Sequence, residues 1–286
     1  MNQEGRRARL HALELKIARE IRRICEKNGL RYFITAGTLL GAVRHGGFIP
    51  WDDDMDIGMP CADYDAFLAA CGRDLGPEYL LQTWDTDPDY PFPAGKIRLK
   101  GTRAPEQFAL GRRGADGRDG IYVDIFPFDA VPDGAWAARL QGWRYFLYKR
   151  LLWIKKGYGK SIRGESWRQR LKYDVFRALA ACFPYGALKR GCDRMQRRFN
   201  GSNTRRVVTN GAHSFAHETI ERAWTEDLAP VRFEGEEFMS YRERDAYLRH
   251  MYGDYMALPP KCDRKGHEFR GLDFGPYGGD GGKETP

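Results

Sequence analysis

The amino-acid sequence predicts an α/β fold of the α+β type, in which a small mixed sheet is flanked by helices and followed by a basic, helical second half. Short apolar segments with strand periodicity alternate with helical patterns as far as Phe128, and from Trp136 onward the patterns become long, aromatic and basic helices. A chain of 286 residues can form one large domain with an insertion, which we expect rather than two independent domains.

The first half of the chain contains one long helix pattern and then shorter elements. Apolar residues recur at steps of three and four from Leu10 to Cys25, which is typical of an amphipathic helix, and Asn28-Gly29 is a normal helix end. The elements predicted after it are a strand at 32–34, a helix at 38–43, a strand at 55–59, a helix at 64–71, and strands at 79–82, 96–100 and 121–128.

The second half is predicted to be mainly helical. The stretches "WAARLQGWRYFLYKRLLWIKK" and "SWRQRLKYDVFRALAACF" both have the composition of long amphipathic helices. We therefore expect three regions: a core formed by 1–134 together with 205–270, a basic aromatic insertion at 135–204, and a glycine-rich flexible tail at 271–286.

The positive charge is concentrated in one region. The net charge of the chain is +8, but residues 139–200 contain 17 Lys/Arg and 3 Asp/Glu, so this segment carries +14 and the rest −6. Such a patch attracts nucleic acid, anionic lipid or an anionic substrate. Because no nucleic-acid-binding motif accompanies the charge, we do not expect a nucleic-acid partner.

Targeting and cysteine patterns predict a cytoplasmic protein. The opening "MNQEGRRARL" lacks the apolar segment of an export signal, and no apolar run reaches the roughly 20 residues that span a bilayer. The six cysteines are scattered without C-x-x-C spacing, which argues against a disulfide framework or a zinc site.

A run of aspartates opens the second predicted strand, in "WDDDMDIGM". Because side chains two apart on a strand share a face, Asp54 and Asp56 are expected together on the face opposite Met55 and Ile57, with their Cα atoms about 7 Å apart. Like charges so close favour a bound cation between them.

The cation predicted here is Mg²⁺ or Mn²⁺. A calcium loop counted from Asp52 requires Gly at its sixth position and Glu at its twelfth, where the chain has Ile57 and Asp63. Two carboxylates completed by water and substrate phosphates are typical of Mg²⁺ sites. The alternative is a solvated acidic turn, although such turns seldom continue into an apolar strand.

A further carboxylate interrupts the apolar segment "GIYVDIFPFD". Asp124 stands in a run too apolar to leave an ionised group without a partner, because an isolated buried charge costs several kcal/mol or more. It is predicted either to join the aspartate site or to form a structural ion pair.

Two groups of residues are candidates for binding phosphate. Gly37 and Thr38 stand at a helix start, where free N–H groups and the helix dipole favour anions. Lys96 and Arg98 share one strand face, so at least one is expected to reach a phosphate; the alternative is a pair of solvated surface charges.

Three stretches together resemble a known family. "TAGTLLGAVRHGGFIPWDDDMDIGM", "YVDIFPFD" and "YLRHMYGDYMALPP" follow one another as in the LicD family, whose fukutin-type relatives share the core. The resemblance covers the chain from about residue 30 to 267, with the basic middle the least distinctive part. It implies a nucleotidyltransferase-like fold, in which residues 1–134 and 205–270 form the catalytic core.

The resemblance also implies roles for individual residues. Gly37 and Thr38 correspond to the phosphate-binding turn, Asp54 and Asp56 to the catalytic D-x-D metal ligands, and Asp124 to the third carboxylate.

Four further residues fall within or near the family's motifs. Asp52 and Asp53 belong to the same signature, but strand parity places Asp53 away from the pair, so both rank lower. Arg264 and His267 follow the last motif at about the expected spacing and are candidates for binding the donor.

The activity implied by the resemblance is phosphotransfer from a CDP-activated alcohol, CDP-choline above all, to a hydroxyl of a cell-surface glycan, lipopolysaccharide or teichoic acid precursor. Other donors remain open, namely CDP-ribitol, CDP-glycerol or a sugar nucleotide used by a D-x-D glycosyltransferase. The alternative outside enzymes is a polyanion- or membrane-binding protein whose function lies in its basic segment.

Two further expectations concern the donor and the acceptor. A choline group is expected to be held by aromatic faces, for which Trp51, Trp84, Tyr90 and Tyr122 are candidates. A lipid-linked glycan acceptor fits peripheral contact of the basic helices with an anionic membrane at its inner face; the alternative is an ordinary core-facing stripe.

Overall fold

The structure is a computed structural model that describes residues 2–106, 118–156, 166–209, 211, 213–264, 266 and 271–278. The helices of this part of the chain are α1 (Gln3–Lys27), α2 (Ala36–His45), α3 (Cys61–Asp74), α4 (Ala135–Lys155), α5 (Trp167–Ala181), α6 (Tyr185–Gln196), α7 (Arg222–Glu226) and α8 (Arg244–Tyr252). Short 3₁₀ turns lie at Arg197–Phe199, Lys261–Asp263 and Gly275–Tyr277.

Nine strands form one large mixed sheet and a separate hairpin among the described residues. The strands are β1 (Phe33–Ile34), β2 (Asp56–Pro60), β3 (Tyr79–Gln82), β4 (Gly95–Leu99), β5 (Tyr122–Val131), β6 (Arg206–Val208), β7 (Thr219–Glu221), β8 (Leu228–Phe233) and β9 (Glu236–Tyr241). The sheet runs in the order β1-β2-β5-β4-β3, the end of β5 also pairs with β6 and β6 with β7, and β8 pairs with β9. The predicted mixed α/β fold is confirmed.

The parallel pair β2–β5 lies inside the large sheet and positions the acidic residues. Asp56 stands opposite Asp124 in this pair, and the next position joins Ile57 to Ile125, both fully buried. Alternation along each strand therefore places the aspartates on one face and the isoleucines in the core on the other. The remaining neighbours of β2 and β5 are antiparallel.

Helix α1 covers the sheet with the stripe that its periodicity predicts. Leu10, Leu13, Ile17, Ile21 and Ile24 are all buried in the main core, and α1 packs against α3, β4 and β5. At its end, Asn28 caps the helix through hydrogen bonds to the carbonyls of the last turn. Such burial of an amphipathic face supplies most of the stability of a helix in a protein.

Helices α4, α5 and α6 share a core of their own. Leu151, Leu152, Leu188 and Cys192 are buried in this second cluster, and α4 packs against both α5 and α6. None of the helices in the described part of the chain has the length and apolar composition needed to cross a membrane.

The start of the predicted flexible tail is ordered against the core. Arg103 and Asp273 form an isolated antiparallel bridge, Phe274 is buried, and the carbonyl of Tyr277 accepts hydrogen bonds from Arg9. The glycine-rich composition did not predict this, because two aromatic residues anchor the segment. Residues 279–286 lie outside the described residues.

We expect Glu218→Gln to change how stability depends on pH. Glu218 accepts hydrogen bonds from the backbone N–H groups of Gly211 (2.6 Å) and His213 (2.5 Å). Burial raises the pKa of Glu218 from its ordinary 4.5 to about 7. The protonated form therefore stabilises the fold below the ordinary pKa, and this contribution is lost as pH rises through about 7.

Because glutamine stays neutral, the variant does not lose this contribution. Between pH 5 and 8, its free energy of unfolding in urea should therefore rise by up to about 3 kcal/mol relative to that of wild type. The exposed Glu226→Gln is the matched control and should show no such trend. A constant difference at all pH values would contradict this account of Glu218.

Candidate active site

The aspartate run forms a compact turn before β2. The Asp52 N–H donates to the carbonyl of Ile49 (2.9 Å), and one carboxylate oxygen from each of Asp52, Asp53 and Asp54 lies within 4.8 Å of the others. Because β2 begins at Asp56, strand parity does not apply to these residues. The prediction that Asp53 lies away from the Asp54–Asp56 pair is therefore wrong for Asp54.

Asp56 and Asp124 bring a second pair of carboxylates to the same place. They are register partners on β2 and β5, and Lys96 is the register partner of Asp124 on β4. The Lys96 ammonium donates to Asp124 Oδ1 at 2.8 Å, so the row across three strands reads carboxylate, carboxylate, ammonium. The structure thus brings Asp124 next to Asp56, as the sequence predicted, and adds a cation at its other side.

The first turn of α2 closes over the aspartates. Thr38 is buried and its Oγ1 accepts from the Asp56 N–H (2.8 Å), which ties the helix to the start of β2. A Cβ atom at Gly37 would lie 2.9 Å from Asp52 Oδ2, so only glycine allows this carboxylate to approach the positive end of the helix dipole. Gly37 and Thr38 therefore lie at the site, and both contact it through its aspartates.

The turn that begins α2 has a strained backbone and is stabilised by hydrogen bonds with tyrosines distant in sequence. Ala36 has φ +48°, a conformation that is costly for a residue other than glycine. Its N–H donates to the hydroxyl of Tyr247 (3.2 Å), and the hydroxyl of Thr35 bonds both Tyr241 and Tyr247 (2.9 Å each). Residues of β9 and α8 therefore fix the turn that carries Gly37 and Thr38.

Lys96 and Arg98 are buried and are not solvated charges. Lys96 also donates to Glu106 (2.9 Å), and its ammonium lies 3.5 Å from the ring centre of Tyr122. Arg98 is 1% exposed, and its three nitrogens donate to Gln82, the carbonyl of Gly120 and Glu106. This geometry favours a structural role, in which Lys96 stabilises Asp124 and Arg98 stabilises the sheet. It does not favour the predicted binding of phosphate by Arg98, whose three nitrogens already have partners in the protein.

Crowding of like charges governs the electrostatics of the site. Burial, followed by the charges of Asp54 and Asp53, raises the pKa of Asp52 to about 8. Burial raises the pKa of Asp124 to about 6, although Lys96 opposes this shift. Burial, then the charges of Asp54 and Asp124, raises the pKa of Asp56 well above its ordinary value. The group therefore resists full ionisation unless a cation joins it.

The segment that follows the C-terminal motif contacts the aspartate turn at Trp51 and Asp53. The guanidinium of Arg264 stacks on Trp51 at 5.1 Å from the ring centre, and its Nε donates to the carbonyl of Pro259 (2.9 Å). Gly266 packs so closely against the Trp51 carbonyl and Asp53 that a side chain would clash. His267 lies outside the described residues.

Sequence reasoning missed Glu14, which lies on α1. Its side chain is buried at 2% exposure, and the charges of Asp54, Asp53, Asp52 and Asp56 all act on it. A signal was present, because Glu14 follows Leu10 by four residues and precedes Ile17 by three, which places a carboxyl inside the apolar stripe.

The residues present fit a hard divalent cation. All the charged groups of the turn are carboxylates, and oxygen ligands of this kind suit Mg²⁺ or Mn²⁺. Among the ligands predicted from sequence, Asp54 belongs to the compact group, whereas Asp56 and Asp124 lie beside it. Asp52 and Asp53, ranked lower from the sequence, are the closest neighbours of Asp54.

A mixed sheet that gathers carboxylates beside a glycine-containing helix start is suited to enzymes that transfer phosphate groups. Residues 29–152 match the family described as LicD/FKTN/FKRP, nucleotidyltransferase domain. This part of the chain is therefore similar to the LicD family domain, and the resemblance seen in its motifs is confirmed.

Individual relatives narrow the class of reaction. The chain is 25% identical over 252 residues to the lipopolysaccharide cholinephosphotransferase LicD of Haemophilus influenzae, covering 86% of this chain and 90% of that protein. It is 48% identical over 46 residues to the human ribitol 5-phosphate transferase FKRP, covering 16% of this chain and 9% of that protein. Both names describe transfer of a phospho-alcohol, so the comparisons support a phosphotransferase.

We expect Lys96→Met to destabilise the protein by about 3–5 kcal/mol, because it removes the cation that the largely buried carboxylates of Asp124 and Glu106 share and leaves only Glu106 with a cationic partner, Arg98. Urea unfolding measures this. Lys100→Met is the matched control, since Lys100 is exposed just beyond the same strand, and it should cost less than about 0.5 kcal/mol. Equal losses in the two variants would show that the ion pairs do not hold the site.

Proposed function

We propose that this chain transfers a phospho-alcohol, above all phosphocholine from CDP-choline, to a hydroxyl of a cell-surface glycan, lipopolysaccharide or teichoic acid precursor. The observation that carries this proposal is the register pairing of Asp56 with Asp124 beside the turn of Asp52, Asp53 and Asp54. The sequence identity of 25% to a cholinephosphotransferase, over 86% of this chain, supports the choice of donor.

In the proposed reaction, the acceptor oxygen forms a bond to the phosphorus that carries the alcohol. The bond from that phosphorus to the oxygen of CMP breaks, CMP leaves, and the hydroxyl proton passes to a carboxylate of the site. A bound Mg²⁺ or Mn²⁺ supplies positive charge that neutralises the diphosphate and the leaving group. Asp54, Asp56 and Asp124 are the proposed ligands, and Asp52 and Asp53 join them on the basis of their positions.

The aromatic residues near the aspartates suggest where a choline group would bind. Trp51 adjoins the turn and is partly exposed, whereas Tyr90 is fully buried and the ring of Tyr122 already faces Lys96. Trp84 packs against the second core. Of the four aromatic candidates, Trp51 is therefore the one that both adjoins the turn and is partly exposed. Because the Arg264 guanidinium already covers one face of its ring, a quaternary ammonium would use the other face for a cation–π interaction.

A second donor deserves a test because of one observation. The segment shared with the ribitol 5-phosphate transferase is short but 48% identical. CDP-ribitol is therefore the leading alternative donor, and its use would leave the proposed chemistry at phosphorus unchanged.

We expect Asp56→Asn to lower turnover on the order of a thousandfold, because it removes a charged ligand of the cation that would neutralise the reacting diphosphate. Release of CMP from CDP-choline, CDP-ribitol, CDP-glycerol and UDP-sugars, with and without Mg²⁺, measures both the rate and the donor.

Asp85→Asn is the control, since Asp85 is an exposed aspartate in the loop after β3. It should retain wild-type turnover, and circular dichroism should show both variants folded. Near-normal, metal-dependent turnover by Asp56→Asn would refute the assignment, whereas preference for another donor would change only the substrate.

We also propose that the chain binds peripherally to an anionic membrane. The most exposed large apolar residues on α4 are Trp136 (83%) and Trp143 (61%), and Trp167 (69%) is exposed at the start of α5. Leu140, between the two tryptophans, and Leu171 and Val175, one and two turns along α5, are exposed as well. Helices α4, α5 and α6 together contain 12 Lys/Arg and 2 Asp, which suits contact with anionic headgroups.

A cavity beside this surface suits a lipid-linked acceptor. It has a volume of about 970 Å³ and lies between α4 and the segment around Phe215. Its lining combines the basic side chains of Arg139, Lys149, Arg150 and Arg206 with the rings of Tyr145, Phe146, Trp153 and Phe215. Such a mixture can hold a phosphate together with an apolar chain.

We expect the combined variant Trp136→Ser, Trp143→Ser, Trp167→Ser to bind vesicles containing anionic lipid at least about tenfold more weakly than wild type, because three interfacial anchors are lost. Co-sedimentation at low salt measures this. Met256→Ser with Leu258→Ser is the control, because these exposed apolar residues lie outside α4 and α5. Equal sedimentation of all three proteins, or none by wild type, would contradict the membrane proposal.

A further inference from the structure

Glu14 is a buried carboxyl whose partner is missing from the described part of the chain. It stands in the fourth turn of α1 with 2% exposure, and its Oε2 atom has no hydrogen-bond partner among the described residues. Leaving a buried carboxylate oxygen without a partner is costly, so native proteins usually supply one. The missing partner is therefore a group other than these side chains and backbone atoms.

The face of α1 that carries Glu14 runs along the aspartate turn. Arg7 donates to the carbonyl of Pro50 (2.8 Å), and His11 Nε2 is hydrogen-bonded to the carbonyl of Asp52 (2.8 Å). Glu14 follows these residues by seven and three positions, so it continues the same face of the helix. This face is directed toward the turn, and the carboxylates of Asp52, Asp53, Asp54 and Asp56 are the charged groups that act on Glu14.

The surroundings of Glu14 call for positive charge. After burial itself, the charges that raise its pKa most are those of Asp54, Asp53, Asp52 and Asp56. A neutral, protonated Glu14 that serves only to fill space is the simplest alternative. It does not account for Oε2, which would remain without a hydrogen bond, nor for a carboxyl in place of an apolar side chain within the stripe of α1.

We propose that Glu14 is a ligand of the divalent-cation site and binds the cation together with the carboxylates of Asp52, Asp53 and Asp54. This inference rests on the proposed cation site. Glu14 precedes residues 29–152, so the matched family domain would be completed by a helix outside its own boundaries. Helix α1 then has a functional role in addition to covering the sheet.

The test is a titration with Mn²⁺ alone, followed by electron paramagnetic resonance, on wild type and on Glu14→Gln. Glutamine keeps the shape of the side chain but removes its charge. We expect the dissociation constant for Mn²⁺ to rise about 10- to 100-fold. The melting temperature without metal should stay equal or rise, because repulsion among the carboxylates is reduced, while the increase in melting temperature on adding Mn²⁺ should shrink.

Glu26→Gln is the matched control, because it removes the same charge from an exposed position on the same helix and should bind Mn²⁺ like wild type. Asp54→Asn tests the site itself and should also weaken binding. If Asp54→Asn weakens Mn²⁺ binding but Glu14→Gln does not, the role of Glu14 is refuted and the site stands. If wild type binds no Mn²⁺, both the site and the role of Glu14 are refuted.

Discussion

The constraint on which this structure depends is the crowding of carboxylates between α1, α2 and the β2–β5 pair. Carboxylates in a partly desolvated space repel one another, and their repulsion favours protonation or a bound cation. The fold opposes this repulsion with the ammonium of Lys96 beside Asp124 and with the positive end of α2 beside Asp52. Neither of these positive charges contacts all the carboxylates of the site. The remaining repulsion is why the site suits a divalent cation.

Most features around the site serve to hold these carboxylates in place. Parallel pairing of β2 with β5 sets Asp56 opposite Asp124, and the buried isoleucines behind them prevent a shift in register. Thr38 ties α2 to the backbone of Asp56, while Tyr247 holds the strained turn before it. Residues remote in sequence thus determine the positions of the acidic groups, as preorganised binding of a charged substrate requires.

The positive charge of this chain is concentrated on α4, α5 and α6, which have their own core, whereas the acidic site lies on the main core. The second core of α4, α5 and α6 leaves tryptophans exposed on α4 and α5 among Lys and Arg side chains. In the proposed reaction, separate regions for the donor diphosphate and for an anionic acceptor carrier would keep the two from competing for the same positive surface.

Periodicity and motif order predicted the mixed α/β fold, the approximate positions of the elements up to α5 and the candidate residues Asp54, Asp56 and Asp124, because these depend on neighbours along the chain. The strands β6–β9 were not predicted, since the second half was expected to be mainly helical. Tertiary structure alone decided three other features: the convergence of Asp53 with Asp52 and Asp54, the burial of Lys96 and Arg98 against Glu106, and the approach of Glu14 from α1. Strand alternation misplaced Asp53 because the turn ends only where β2 begins, at Asp56. Partners that are distant in sequence meet only after the core forms, so no local pattern can reveal them.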